Sequence, residues 1–252
     1  MIKGIYTAAS GMMLGMSRQD ALANNLANVN TGGYKKDVVV SSAFPGMLIS
    51  RIENQNGEGT ATRTPIGNLN SGACIGQIFT DQSKGNLKRT ENPLDLALGS
   101  ESYFVMDTPD GERFTRNGEF KLGPEGLLTD AAGNAVLDIN DENIYIEDQF
   151  TVDKQGNITV NGEYLTTLKI AAFEDSGSLR KVGYNLMEST AEYTQDENPE
   201  VLQNYIETSN VNAVKEMVEL IKATRSYESL QKVIQAEDET LGTAIQQVGA
   251  VN

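Results

Sequence analysis

The chain has 252 residues, and its 20 Lys and Arg against 35 Asp and Glu give a formal net charge of −15 at pH 7. So acidic a surface has little means of neutralising nucleic-acid phosphates or anionic lipid, and neither is expected as a partner. The absence of His removes imidazole-based zinc sites and Ser-His-Asp or Cys-His nucleophile systems, and the single Cys74 cannot close an intrachain disulfide.

From Met1 to about Val29, Ile2, Ile5, Ala9, Met12, Met16, Leu22, Leu26 and Val29 recur mostly at three- and four-residue steps. This spacing predicts an amphipathic helix. Gly4, Gly11 and Gly15 each cost such a helix about 1 kcal/mol relative to Ala, so its first half needs a partner to order it. Asn30-Thr31-Gly32-Gly33 supplies residues that end a helix. Lys3, the apolar run to Met16 and then Ala21-Leu22-Ala23 imitate a cleavable signal peptide, but Arg18, Asp20, Ser10 and the three glycines argue against it. No run of 18 apolar residues occurs, so no helix is expected to insert in a membrane.

Residues 41–98 read as an extended, partly stranded connection, with apolar islands at 44–52 and 73–79. Cys74 is expected to be a small buried apolar residue. Gly57-Glu58-Gly59 lacks the third Gly of a dinucleotide fingerprint, since Thr62 stands in that place.

Residues 99–185 carry dense turn chemistry between short β-rich runs, which predicts an antiparallel sandwich or barrel. Tyr103-Phe104-Val105-Met106, Pro109-Asp110-Gly111 and Arg113-Phe114-Thr115 read as a hairpin. Further turns fall at Asn117-Gly118, 123–126, Gly133-Asn134, Gln155-Gly156-Asn157 and Asn161-Gly162, separating strands expected at 127–129, 135–139, 144–147, 151–153, 158–160 and 165–173. Gly118 to Gly123 has the gap of a phosphate loop, but Pro124 occupies the lysine position. Asp138-Ile139-Asn140-Asp141-Glu142-Asn143 begins like a calcium loop, yet Asn143 replaces the turn Gly and Gln149 the bidentate Glu, leaving a solvated acidic turn. No catalytic, cofactor-binding or metal-ligating residue is predicted.

An acidic return connection over 186–205 leads to a C-terminal helical segment, 206–252. Leu220, Tyr227, Ile234, Leu241 and Val248 fall seven apart, and Ala223, Leu230, Glu237, Ala244 and Val251 follow each by three, an a/d seam with one polar intruder. Val211, Val214, Val218 and Ile221 form a second row. Ser209 or Asn210 is the expected N-cap, with Glu207 near the positive end of the dipole. The fold class is α+β: residues 1–40 and 206–252 contribute N- and C-terminal helices forming an antiparallel coiled coil, around a mostly antiparallel all-β middle domain.

Ala21-Leu22-Ala23-Asn24-Asn25-Leu26-Ala27-Asn28-Val29-Asn30-Thr31-Gly32-Gly33-Tyr34-Lys35 resembles the N-terminal signature of bacterial flagellar rod and hook proteins. Asn92-Pro93-Leu94-Asp95-Leu96-Ala97-Leu98, with Tyr103-Phe104 and Phe114-Thr115-Arg116-Asn117-Gly118-Glu119-Phe120, resembles middle blocks of that family. Glu207-Thr208-Ser209-Asn210-Val211-Asn212, Glu216-Met217-Val218 and Arg225-Ser226-Tyr227-Glu228 resemble its C-terminal signature.

The resemblance implies a structural subunit of the flagellar basal-body rod that self-assembles helically to transmit torque, without cofactors. Its partners would be itself, other rod and hook subunits, and the flagellar type III export apparatus, which takes the chain without a cleaved signal. The length argues against the larger hook protein, and Gly4-Ile5-Tyr6-Thr7-Ala8-Ala9-Ser10-Gly11-Met12 resembles the proximal more than the distal rod protein. In the expected assembly interface, Leu22, Leu26 and Val29 form a packing stripe, with Asn25 beside it. Asn24 and Asn28 bond across subunits, Leu220, Tyr227, Ile234 and Leu241 form the seam, and Arg225 pairs locally or between subunits. The competing reading is a secreted glycan-binding or glycan-cleaving β domain on a coiled-coil stalk.

Overall fold

The computed structural model describes residues 2–53, 62–183 and 185–249. Gly57-Glu58-Gly59 and the seam position Val251 lie outside the described residues, as does the side chain of Val248. The chain divides into two compact units, one formed by Met1–Asn24, Asp37–Phe79 and Val214–Asn252, the other by Asn25–Lys36 and Thr80–Ala213.

The first unit contains most of two long helices, α1 (Ile2–Ala27) and α2 (Ala213–Gly249). They contact each other in antiparallel order: Gly4 faces Glu237, Gly11 faces Leu230 and Gly15 faces Tyr227. Further along, Gln19 Nε2 donates to Thr224 Oγ1 at 3.3 Å. The a and d positions of α2 from Leu220 to Ala244 are all half-buried, while every other residue from 221 to 247 is exposed. The glycines that weaken α1 in isolation are therefore its points of approach. A Cβ on Gly11 would lie 2.9 Å from Leu230 Cδ1.

The expected start of the second helix needs correction. Strands at Val201–Gln203 and Tyr205–Glu207 precede it, and α2 begins at Ala213. Their backbone groups are taken by ladder partners at Leu96–Leu98 and Leu87–Arg89. Of the second apolar row, Val214, Val218 and Ile221 are exposed and Val211, outside the helix, is buried.

The first unit also holds strands within the stretch read as an extended connection. β1 (Asp37–Ala43) pairs with β4 (Ala73–Thr80), while β2 (Met47–Glu53) pairs antiparallel with β3 (Thr62–Leu69), Met47 lying opposite Leu69. Cys74 is half-buried, and its Sγ lies 3.1 Å from Ser42 Oγ. A polar cross-strand neighbour thus replaces the expected apolar surround. Among the described residues, Ala8 is the one apolar side chain of this unit that is fully buried.

The second unit has the apolar core. After β5 (Leu87–Arg89) and β6 (Leu96–Leu98) comes β7 (Ser102–Thr108), joined through Pro109-Asp110 to β8 (Gly111–Thr115), the hairpin expected from its turn. β7 is the spine of a nine-stranded sheet: β8 lies on one edge, and the strands Ala135–Val136 and Ile170–Ala172 share the other. Successive side chains on a strand point to opposite faces. Phe104 and Met106 enter a cluster with Leu96, Phe120, Leu128 and Ile158, whereas Tyr103 and Val105 enter one with Phe114, Leu137 and Met187. Both faces are covered, so 102–106 reads as a continuous buried run.

Three expected strands differ: that at 135–139 ends at Val136, with Leu137 and Asp138 in single bridges to Asn143 and Leu168. Ile144 and Ile146 are buried, but 144–147 makes a single bridge, Leu127 to Tyr145, instead of a strand. The run expected at 165–173 splits into Glu163–Thr167 and Ile170–Ala172. Between them Leu168 N–H donates to Gly156 and Lys169 N–H to Leu137, so the backbone changes partners there. Asp130 and Asp153 build matching turns, each Oδ1 accepting from the amides two and four residues on. Asp138 accepts from the amides of Asn140 and Glu142 and from the Thr166 hydroxyl. The acid that opens the calcium-like sequence is thereby committed to its own turn.

Candidate functional site

Within the second unit, the turn after α1 is held by a backbone constraint. Gly33 has φ +65°, and a Cβ there would run into the backbone of Arg116 and Asn117. Only Gly meets both demands. This close approach lets Gly33 N–H donate to the Glu207 carbonyl at 2.8 Å, while Asn185 Nδ2 donates to the Gly32 carbonyl at 3.0 Å.

Two residues on, Lys35 Nζ lies 2.5 Å from Glu207 Oε1 and donates to the Ser83 carbonyl at 2.9 Å. Glu207 Oε1 also accepts from Gly85 N–H at 2.8 Å, and its Oε2 lies 3.5 Å from Arg116 Nη1. Arg116 donates to the Ser100 carbonyl at 2.8 Å and stacks over the Tyr103 ring at 4.7 Å. All three charged residues are at most 2 % exposed. Glu207, expected to serve a helix dipole, is instead the shared acceptor of this cluster.

Two buried cations face one carboxylate. Burial lowers the Lys35 pKa below its ordinary value, Glu207 pulls it up, and Arg116 pushes it down again. Burial likewise raises the Tyr103 hydroxyl above its ordinary value, against the opposing pull of Arg116. Such a cluster is costly to desolvate but strongly dependent on every member being present.

Asn210 adds a further tie within the second unit. Its Oδ1 accepts from Lys36 N–H at 2.8 Å and its Nδ2 donates to the Asp81 carbonyl at 2.8 Å, so its side chain joins these segments rather than capping α2. Lys181 Nζ sits 4.1 Å from the centre of the Tyr34 ring and donates to the Lys35 carbonyl.

The expected interface residues are distributed as follows. Asn25 is buried, with its Oδ1 accepting from the Tyr34 hydroxyl at 3.1 Å, and Asn28 Oδ1 accepts from Thr31 Oγ1 at 3.2 Å. Leu22, Leu26 and Val29 are half-buried and Asn24 is exposed. On α2, Leu220, Tyr227, Ile234 and Leu241 line the half-buried seam, and Arg225 is exposed. Periodicity and turn chemistry do not mark Lys35, Arg116 and Glu207 as a cluster. Their signal was charge placed inside three blocks otherwise rich in apolar, Asn and Gly residues.

The comparisons with known proteins fall on those blocks. Residues 5–35 match the family "Flagella basal body rod protein", residues 97–162 the "Flagellar hook protein FlgE/F/G D1 domain", and residues 202–247 the "Flagellar basal body rod FlgEFG protein C-terminal". Lys35, Arg116 and Glu207 come one from each. The chain is 33 % identical to the flagellar hook-basal body complex protein FlhO of Bacillus subtilis over 273 residues, covering 100 % of both chains. It is 33 % identical to the FlgG rod protein of the same organism, over 96 % of this chain and 97 % of that one, and 28 % identical to the FlgF rod protein of Caulobacter vibrioides, over 100 % of both. The class these observations define is a structural subunit. The chain belongs to the flagellar basal-body rod protein family. Among the described residues, no helix is long and apolar enough to cross a membrane.

Proposed function

We propose that this chain is an axial rod subunit that polymerises through its first unit, with α1 and α2 pairing as an antiparallel coiled coil and packing against the helices of further copies to transmit torque. The observation that carries this reading is the surface of the first unit. It buries Ala8 alone among its described apolar side chains, yet exposes Tyr6, Met13 and Met16 on α1, Leu48, Ile52 and Ile66 on the β2–β3 hairpin, and Val214, Met217 and Ile221 on α2. Apolar surface on this scale marks an assembly face. The half-buried seam of Leu220, Tyr227, Ile234 and Leu241 supports a coiled coil that retains room for neighbours.

Leu22, Leu26 and Val29 extend the packing stripe, and Asn24, Asn28 and Arg225 supply polar contacts between copies. Charge is partitioned in the sense this reading needs: the second unit has 12 Lys and Arg against 25 Asp and Glu, the first 8 against 10. The strongly acidic unit keeps subunits soluble, while the nearly neutral one is free to associate. The chain is exported through the flagellar type III apparatus without cleavage, since loss of residues 1–23 would strip α2 of its partner.

The test is electron microscopy of basal bodies from a strain lacking the protein and from strains lacking residues 1–35 or the segment after 209. An absent or shortened rod with lost swimming is expected in each. A rod of normal length with normal swimming would overturn the reading.

A further inference from the structure

The α1–α2 contact carries a register problem. Gly4 and Gly11 are seven residues apart, and the seam of α2 repeats every seven. By shape and hydrophobicity alone, α2 could move one heptad along α1 and find a glycine and an apolar stripe again. Among the described seam positions, from Leu220 to Ala244, Glu237 is the one charged residue.

We propose that Glu237 sets the direction and register of this pair by holding its carboxylate against the positive end of α1. This rests on the helix pairing given under Proposed function. A Cβ on Gly4 would lie 2.8 Å from Glu237 Oε1, so the carboxylate fills the place a side chain would take in the first turn of α1. That turn has no acidic residue of its own and carries Lys3, a cation where the dipole already presents partial positive charge. Glu237 supplies the missing negative charge from the partner helix. Among the described residues its Oε2 has no hydrogen-bond partner although it is buried, which makes the carboxylate costly anywhere that no positive field compensates it.

A one-heptad slip would put Glu237 opposite Gly11, in the middle of α1, where backbone N–H groups are already used and the dipole field has faded. A parallel arrangement would put it near the negative end. Both alternatives keep the apolar seam and lose the compensation, so the single acid discriminates between packings that the leucines cannot tell apart.

Cysteine cross-linking in assembled basal bodies tests this, with Cys74→Ser as background. Gln19→Cys with Thr224→Cys reports the observed register, and Leu26→Cys with Thr224→Cys reports the one-heptad slip. With Glu237 in place, the first pair should close and the second should not. Glu237→Leu should lower the first yield about fivefold and make the second appear, while Glu237→Asp, which keeps the charge, should stay within about twofold of the parent. Equal yields in parent and Glu237→Leu chains, with no slipped product, would overturn the assignment. Failure of the parent 19–224 pair to close would overturn the helix pairing itself, and the assignment with it.

Discussion

Lys35 Nζ and Glu207 Oε1 lie 2.5 Å apart although 172 residues separate them in the chain. With Arg116 also against Glu207, this carboxylate is shared by two buried cations. Glu207→Ala should therefore cost the second unit about 3–5 kcal/mol, because it removes the ion-pair partner of both. Adding Lys35→Met should recover part of that loss, making the double variant less destabilised than the sum of the singles. Urea unfolding of the purified full-length chain measures both.

Acid should unfold the second unit through its turn carboxylates. Burial works to raise the Asp138 and Asp153 pKa values, but hydrogen bonds outweigh it and hold both below the ordinary 3.8. They come from Thr166, Glu142 and Asn140 to Asp138, and from Asn157 and Gln155 to Asp153. A carboxylate with a depressed folded pKa contributes its full stability above the unfolded value and loses it as pH falls through the folded one. Melting temperature should thus fall below about pH 4, and Asp138→Asn should flatten that decline.

Gly33→Ala should destabilise the second unit by at least about 2 kcal/mol. The left-handed φ and the adjoining backbone of Arg116 and Asn117 both oppose a methyl group, and neither is a flexible side chain that can move aside. Hydrogen exchange should show lost protection at Gly33 N–H, which donates to Glu207.

Gly11→Ile should raise the intrinsic helix propensity of α1 and still impair swimming. The added side chain enters the space of Leu230, whose Cδ1 already lies 2.9 Å from where a Cβ would stand. Leu230→Ala in the same chain should restore part of the motility measured on soft agar. No restoration would mean that Gly11 acts elsewhere than at this contact.

Assembly should be favoured by salt. Raising ionic strength from about 0.1 M to about 1 M shortens the Debye length from about 10 Å to about 3 Å, which screens repulsion between the acidic second units of neighbouring copies. The fraction of purified protein pelleted in the ultracentrifuge should rise over that range.

Much of the architecture was legible in the sequence because it is written in local patterns. The heptads from Leu220 to Ala244 coincide with the half-buried positions of α2, and Pro109-Asp110-Gly111 marks the β7–β8 hairpin. Where the pattern misled, a non-local partner had intervened. The segment before α2 is taken into ladders with β5 and β6, and the run expected at 165–173 changes partner at Leu168 and Lys169.

The sequence by itself determined the class of the protein, the two terminal helices and the β-rich middle, since periodicity, turn residues and charge act between near neighbours. It also carried, in its three signature blocks, the family. Only the tertiary structure decided that Lys35, Arg116 and Glu207 meet in one buried cluster and that Gly11 is a clearance rather than a weakness. It alone showed that the first unit leaves many of its described apolar side chains exposed. These depend on which distant surfaces come within a few ångströms, and the strength of buried charge and close packing is set by that separation, not by position along the chain.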